Sequence, residues 1–299
     1  MTVTTGYVVP VVQQPRGMAT AGTRYAYESV TEGSREYRRH MKLHVHEWGD
    51  VGAPPVVCLH GVTAHGERFK QLAEERWAAH FHVIAPDLRG HGRSGWEGPW
   101  DFPTHVADIV ETIDALGLEQ PDWVGHSFGG RLVLELAARH PERIRRAVLL
   151  DPAIDILPDV AAFMAEVESY EPIVASAEAA VDDRHDAGEI DRARALADVP
   201  LHHDVLPDGR LLRRTSTDAV VSVYRELATK PPPPETLTMP TLLVYAPSYG
   251  LVRIEHLEAY AGRVEPVPVP GLHMVMWSAF DETADAVEKF LLENPGAQR

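Results

Sequence analysis

Two periods of apolar and polar positions alternate along this chain. Short runs dominated by Val, Leu, Ile and Ala, at residues 55–59, 82–87, 123–126 and 146–150, have the length and composition of buried strands. Between them the period lengthens to that of a helix, over residues 68–79, 106–116 and 130–139. Strand character begins earlier, from about residue 35, so the order is β, β, β and then alternation. Strands alternating with helices imply a mostly parallel sheet with helices on both faces, because each parallel step needs a crossover.

The alternation stops at residue 155. Residues 155–238 are helical in pattern and acidic, lack buried-strand runs, and end in the stiff stretch Pro231-Pro232-Pro233-Pro234. They are expected to form an inserted helical cap. A strand at 241–245, a helix at 255–261, a strand at 265–269 and a closing helix at 282–292 then complete the pattern. The expected organisation is a core of residues 35–154 and 239–299, a cap of residues 155–238, and an extension of residues 1–34 with no regular period and no readable role. No internal repeat is present.

Composition narrows the picture. A chain of 299 residues can bury a substantial core without disulfides, and its one cysteine, Cys58, lies in the apolar run Pro55-Val56-Val57-Cys58-Leu59, as expected of a small buried hydrophobe. There is no signal-peptide pattern at the start and no stretch of about 18 apolar residues, so a soluble, cytoplasmic protein without a membrane span is expected. The formal charge of −16 opposes nucleic acid and anionic substrates and favours a small neutral one. The same excess of acid keeps a protein in solution. The sequence carries no signal for an oligomeric state.

The chemistry centres on Gly125-His126-Ser127-Phe128-Gly129, where a strand runs directly into a helix. Small residues at 125, 129 and 130 permit a sharp turn that pushes the Ser127 hydroxyl out at the sheet edge, the arrangement a serine nucleophile needs. The Phe128 N–H, at the start of the following helix, is suited to hold a developing oxyanion. A second donor is expected from the N–H of Val62 in His60-Gly61-Val62-Thr63, which follows the strand at 55–59. The glycine-punctuated turn Asp87-Leu88-Arg89-Gly90-His91-Gly92-Arg93-Ser94 is expected to brace the structure, with no chemical role for His91.

With these motifs the chain resembles the α/β-hydrolase superfamily, in the branch that holds esterases, lipases and C–C bond hydrolases. The resemblance covers roughly residues 35 to 293. It implies an eight-stranded sheet, a cap inserted after strand six, and a triad in the order nucleophile, acid, histidine. Relatives with an aspartate nucleophile, the dehalogenases and epoxide hydrolases, do not match Ser127. The family's histidine follows the last strand in a glycine-containing loop, and Val269-Pro270-Gly271-Leu272-His273 matches it, which makes His273 the general base.

The acid departs from the commoner pattern. Where many relatives carry an aspartate after strand seven, this chain reads Tyr245-Ala246-Pro247-Ser248-Tyr249-Gly250-Leu251, with Tyr249 at the aspartate's position. A neutral phenol does not stabilise an imidazolium as a carboxylate does. Asp151, in Leu149-Leu150-Asp151-Pro152-Ala153, emerges at the same sheet edge after strand six and matches the placement used by some lipases. Asp151 is therefore expected to orient His273, with Asp155 and Glu255 as alternatives and a serine–histidine dyad as the remaining one.

Other signals are set aside. His44 and His46 share a strand face with no third ligand near in sequence, and His202 and His203 are adjacent, so solvated faces rather than a metal site are expected. Met274, Met276, Trp277, Trp96 and Trp100 fit an apolar acyl pocket or core packing equally. No cofactor or metal is implied. The expected activity is hydrolysis of a neutral carboxylic ester through an acyl-enzyme. C–C cleavage or perhydrolysis on the same residues is the alternative, and a ligand sensor the non-enzymatic one.

Overall fold

The computed structural model describes residues 43–169, 172–182 and 190–293. The extension of residues 1–34, and the strand character expected from residue 35 to 42, lie outside the described residues. Along the chain, β1 (Val45–Trp48), β2 (Pro55–Leu59), α1 (Lys70–Glu75), β3 (His82–Pro86), α2 (Phe102–Ala115), β4 (Asp122–His126), α3 (Phe128–Arg139) and β5 (Ala147–Leu150) follow the expected alternation. Then come α4 (Pro158–Glu168), β6 (Ile173–Val174), α5 (Ala177–Asp182), α6 (Arg192–His202), β7 (His203–Val205), β8 (Leu211–Arg213) and α7 (Thr217–Leu227). The chain returns through β9 (Thr241–Tyr245), α8 (Ile254–Ala259), β10 (Glu265–Pro268), α9 (Val275–Ser278) and α10 (Phe280–Glu293).

The main sheet has the order β1-β3-β2-β4-β5-β9-β10. Only β1 runs antiparallel, against β3, and every other pairing is parallel. The described residues thus supply seven strands where eight are expected. Successive residues of the central strands feed opposite faces, as the period of two requires. Val57, Leu59, Trp123, Leu149 and Leu243 pack on one face with α2, α3 and α7. Val56, Cys58, Val124, Val148, Leu150 and Val244 pack on the other with α1, α9 and α10. Full burial of each such Leu or Val contributes roughly 1.5–3 kcal/mol.

Local chemistry sets where elements begin. α2 starts at Phe102, earlier than the apolar period alone indicates, because the Asp101 side chain accepts from Thr104 N at 2.8 Å and caps the helix. At the opposite sheet edge, Asp122 is fully buried and receives Arg146 Nε at 2.9 Å and Nη2 at 2.5 Å. Arg146 Nη1 also donates to Leu291 O at 2.5 Å, so one guanidinium joins β4, β5 and α10.

Residues 155–238 are not purely helical. β6, β8 and β7 form a small antiparallel sheet in that order beside the four helices. Its strands have two or three residues and are partly exposed, so they leave no buried run in the sequence. This segment is sewn to the glycine-punctuated turn after β3. Gly92 N donates to Arg214 O at 2.7 Å, Ser216 N to Gly90 O at 2.8 Å, and His91 and Thr215 form an isolated bridge. His91 is fully buried, with Nδ1 3.0 Å from Arg89 O, and burial pushes its pKa down to about 4. Among the described residues, no helix is long and apolar enough to cross a membrane.

Candidate active site

Ser127 is the single residue between β4 and α3, with φ 54° and ψ −114°. Such a left-handed φ is unfavourable for a residue with a Cβ, and the surrounding backbone holds it. Ser127 N donates to Leu150 O at 3.0 Å, and its carbonyl accepts from Ala153 N at 3.0 Å and Arg131 N at 3.1 Å. The tight approach of helix to sheet requires glycine at 129, where an added Cβ would collide with the backbone carbonyl of Leu59. Phe128 opens α3, so its N–H has no acceptor within the helix.

His273, in the loop after β10, brings Nε2 to 2.9 Å from Ser127 Oγ. Its Nδ1 donates to Asp151 Oδ2 at 2.7 Å. Asp151, directly after β5, is fully buried at φ 38°. Its backbone N donates to Val244 O at 2.7 Å, and its Oδ1 accepts from Ala246 N at 3.2 Å. The three side chains therefore meet in one hydrogen-bonded row. The alternative carboxylates face another partner: Arg253 Nη2 lies 3.5 Å from Asp155 Oδ2 and Arg253 Nε lies 3.8 Å from Glu255 Oε2.

Tyr249 lies against the face of the His273 imidazole, ring centroids 4.9 Å apart and planes 14° apart. A second ring was missed by sequence reasoning. His126 sits 4.7 Å from His273, centroid to centroid, and its Nε2 donates to His273 O at 2.9 Å. Desolvation, and then the nearby His273, hold His126 well below the ordinary imidazole range, so this neighbour stays neutral. Its position beside Ser127 at the end of a buried strand was the available signal.

The loop after β2 runs beside the nucleophile. A Cβ added at Gly61 would lie 3.1 Å from Ser127 Cβ and 3.6 Å from its Oγ. His60 anchors the loop from below, Nδ1 donating to Gly61 O at 2.8 Å and Nε2 accepting from Leu88 N at 2.9 Å. Val62 and Thr63 form a turn closed by Ala64 N to Gly61 O at 3.3 Å. Thr63 Oγ1 donates to Glu168 Oε2 at 3.2 Å.

Two histidine groups differ from the expected solvated faces. His46 Nε2 lies 3.1 Å from Asp87 Oδ1, with His44 beside it. Asp87 also accepts from Gly66 N at 2.7 Å and Arg93 N at 2.9 Å. His202 is buried, its Nε2 2.8 Å from Thr215 Oγ1 and its ring 5.0 Å from His65. His65 Nε2 lies 3.0 Å from Asp198, which Arg68 also approaches at 2.8 Å. The chain's own donors thus engage both carboxylates. Of the candidate pocket residues, Met276 belongs to the core, and Met274 and Trp277 pack both on that core and on the small cluster of Val174, Val181 and Val199 from residues 155–238. Cys58 is buried and free, and burial pushes its thiol pKa up.

The profile of a family described as alpha/beta hydrolase fold matches residues 54–279. Lipase LipV of Mycobacterium tuberculosis is 36% identical over 193 residues, 63% of this chain and 72% of the lipase. A 2-hydroxymuconate semialdehyde hydrolase of a Pseudomonas species is 43% identical over 116 residues, 35% of this chain and only 38% of that enzyme. The crystal structure of E-2-(acetamidomethylene)succinate hydrolase superposes with a TM-score of 0.74 at 24% identity, covering 83% of this chain and 94% of that one, a likeness of fold. With the profile spanning most of the chain and the same sheet beneath it, this protein belongs to the alpha/beta hydrolase fold family.

Proposed function

We propose that this chain hydrolyses small neutral carboxylic esters through an acyl-enzyme, with Ser127 as nucleophile, His273 as general base and Asp151 as the orienting acid. The observation that carries this reading is the row Ser127 Oγ, His273, Asp151, with contacts of 2.9 and 2.7 Å. His273 Nε2 takes the hydroxyl proton as Oγ attacks the carbonyl carbon, and the N–H groups of Val62 and Phe128 hold the oxyanion. Asp151 fixes the tautomer that leaves Nε2 free to accept, and balances the imidazolium that forms. His273 then protonates the departing alcohol. Water, deprotonated by the same nitrogen, attacks the acyl-enzyme; the bond to Ser127 Oγ breaks, His273 returns the proton to Oγ, and the acid is released. Residues 155–238 act as the cap that shapes the substrate site, a role supported by their packing on Met274 and Trp277, next to His273.

The test is turnover of p-nitrophenyl butyrate by the full chain. Ser127→Ala is expected to lower kcat by about 10⁴-fold or more; unchanged turnover in that variant would reject the mechanism. A second reading, C–C bond hydrolysis of a diketone by the same residues, draws on the similarity to 2-hydroxymuconate semialdehyde hydrolase. A kcat/KM for such a diketone far above that for esters would replace the ester reading.

A further inference from the structure

We infer that Glu168 is a positioning residue for the oxyanion loop: its carboxylate, delivered by α4, holds Thr63 in the backbone conformation on which the presentation of the Val62 N–H depends. This rests on the ester-hydrolase reading above and extends it to residues 155–238, which then contribute to the rate as well as to the shape of the pocket.

The backbone supplies the first observation. Gly61-Val62-Thr63-Ala64 is a β-turn closed by Ala64 N to Gly61 O, and its third residue, Thr63, has φ 54°. A positive φ at this position is the mark of turns that normally carry glycine or asparagine there. A β-branched residue is among the worst suited to it. Among the described residues only three non-glycines have positive φ: Thr63, Ser127 and Asp151. The other two belong to the hydrogen-bonded row, and strained backbone of this kind persists only where the surroundings over-determine it.

The second observation is what holds the turn. Thr63 Oγ1 donates to Glu168 Oε2 at 3.2 Å across 105 positions of sequence. Glu168 is the last residue of α4 and only 5% exposed. Its carbonyl in turn accepts from Arg213 Nη1 and Nη2, both at 3.3 Å, from the buried end of β8. The Thr63 hydroxyl is therefore gripped by a group fixed in the interior.

The two observations combine at Val62. If Thr63 relaxed to a negative φ, the Val62–Thr63 peptide would turn over, as it does between the two common turn types. A carbonyl dipole beside the oxyanion donor would reverse, and the loop that abuts Ser127 at Gly61 would be recast. Glycine at 63 would hold the same turn without a grip, since it pays no Cβ penalty at positive φ.

This gives a test by rescue. Measure kcat and KM for p-nitrophenyl butyrate in Thr63→Val, Thr63→Gly, Glu168→Ala and Thr63→Gly/Glu168→Ala. Thr63→Val and Glu168→Ala are each expected to lose about tenfold in kcat with KM changed less than about threefold, because an oxyanion donor acts in the transition state. The double variant is expected to recover most of what Glu168→Ala loses, and Thr63→Gly to exceed Thr63→Val. A Thr63→Val enzyme within twofold of the parent overturns the inference, as does a double variant no faster than Glu168→Ala. If Glu168→Ala does not accumulate as folded protein, the order of the two Thr63 variants decides alone. Absence of any Ser127-dependent ester turnover in the parent would instead reject the ester reading.

Discussion

Asp151 serves two partners with one carboxylate, Oδ2 accepting from His273 Nδ1 and Oδ1 from Ala246 N. An amide in its place presents an NH₂ to one of two donors and favours the wrong imidazole tautomer. Asp151→Asn is therefore expected to reduce kcat by roughly 10³–10⁴-fold, whereas Tyr249→Phe keeps the stacked ring and is expected to change it by less than about threefold. Ester turnover of the two folded variants, side by side, checks this, and an Asp151→Asn enzyme near parental rate would move the acid elsewhere. At this scale the sequence reveals residues that follow strands: Ser127 and Asp151 stand directly after β4 and β5, and His273 in the loop after β10. It hides residues whose meaning lies in a distant partner. Nothing about Thr63 alone points to Glu168, and the flat contact of Tyr249 with His273 depends on loop conformation that no periodicity encodes.

Among the elements, the central strands β2, β3, β4, β5 and β9 are legible because they are buried on both faces and so read as short apolar runs. The strands β6, β7 and β8 are not, being short and partly solvated. Also invisible was the joint between β4, β5 and α10, where Asp122 meets Arg146 in the interior. Removing one partner leaves a buried charge unmatched, so Asp122→Ala is expected to lower the unfolding free energy by about 3–5 kcal/mol. Replacing both, as Asp122→Leu/Arg146→Met, is expected to recover part of that loss, since the buried Arg146 charge is then gone and the one left without its carboxylate, Arg145, is partly exposed. Urea unfolding followed by circular dichroism measures both. Equal loss in the single and double variants would mean that the joint acts through shape instead.

For the molecule as a whole, burial keeps several histidines neutral. It pushes His91 and His256 down to about 4 and His105 to about 3, and holds His60, His126 and His202 well below the ordinary value. Each binds its proton more weakly folded than unfolded. Its contribution to stability is therefore complete above the unfolded value near 6.5 and is lost as pH falls from there toward the folded value. The urea midpoint is expected to drop steadily between pH 7 and pH 5. His105→Leu is expected to flatten that slope by one proton, about 1.4 kcal/mol per pH unit; an unchanged slope would show that His105 does not take part. The seam between the turn after β3 and residues 214–216 has a mechanical consequence. Its two backbone hydrogen bonds and the bridge at His91 must part together, so this end of residues 155–238 is a fixed post and any breathing of the segment pivots about it. Amide exchange at Gly92 and Ser216 is expected to be as slow as in the central strands, with faster exchange in α5, which among the described residues shares no hydrogen bond with this post, whereas the end of α6 is tied to it through Arg214 N to His202 O at 2.8 Å.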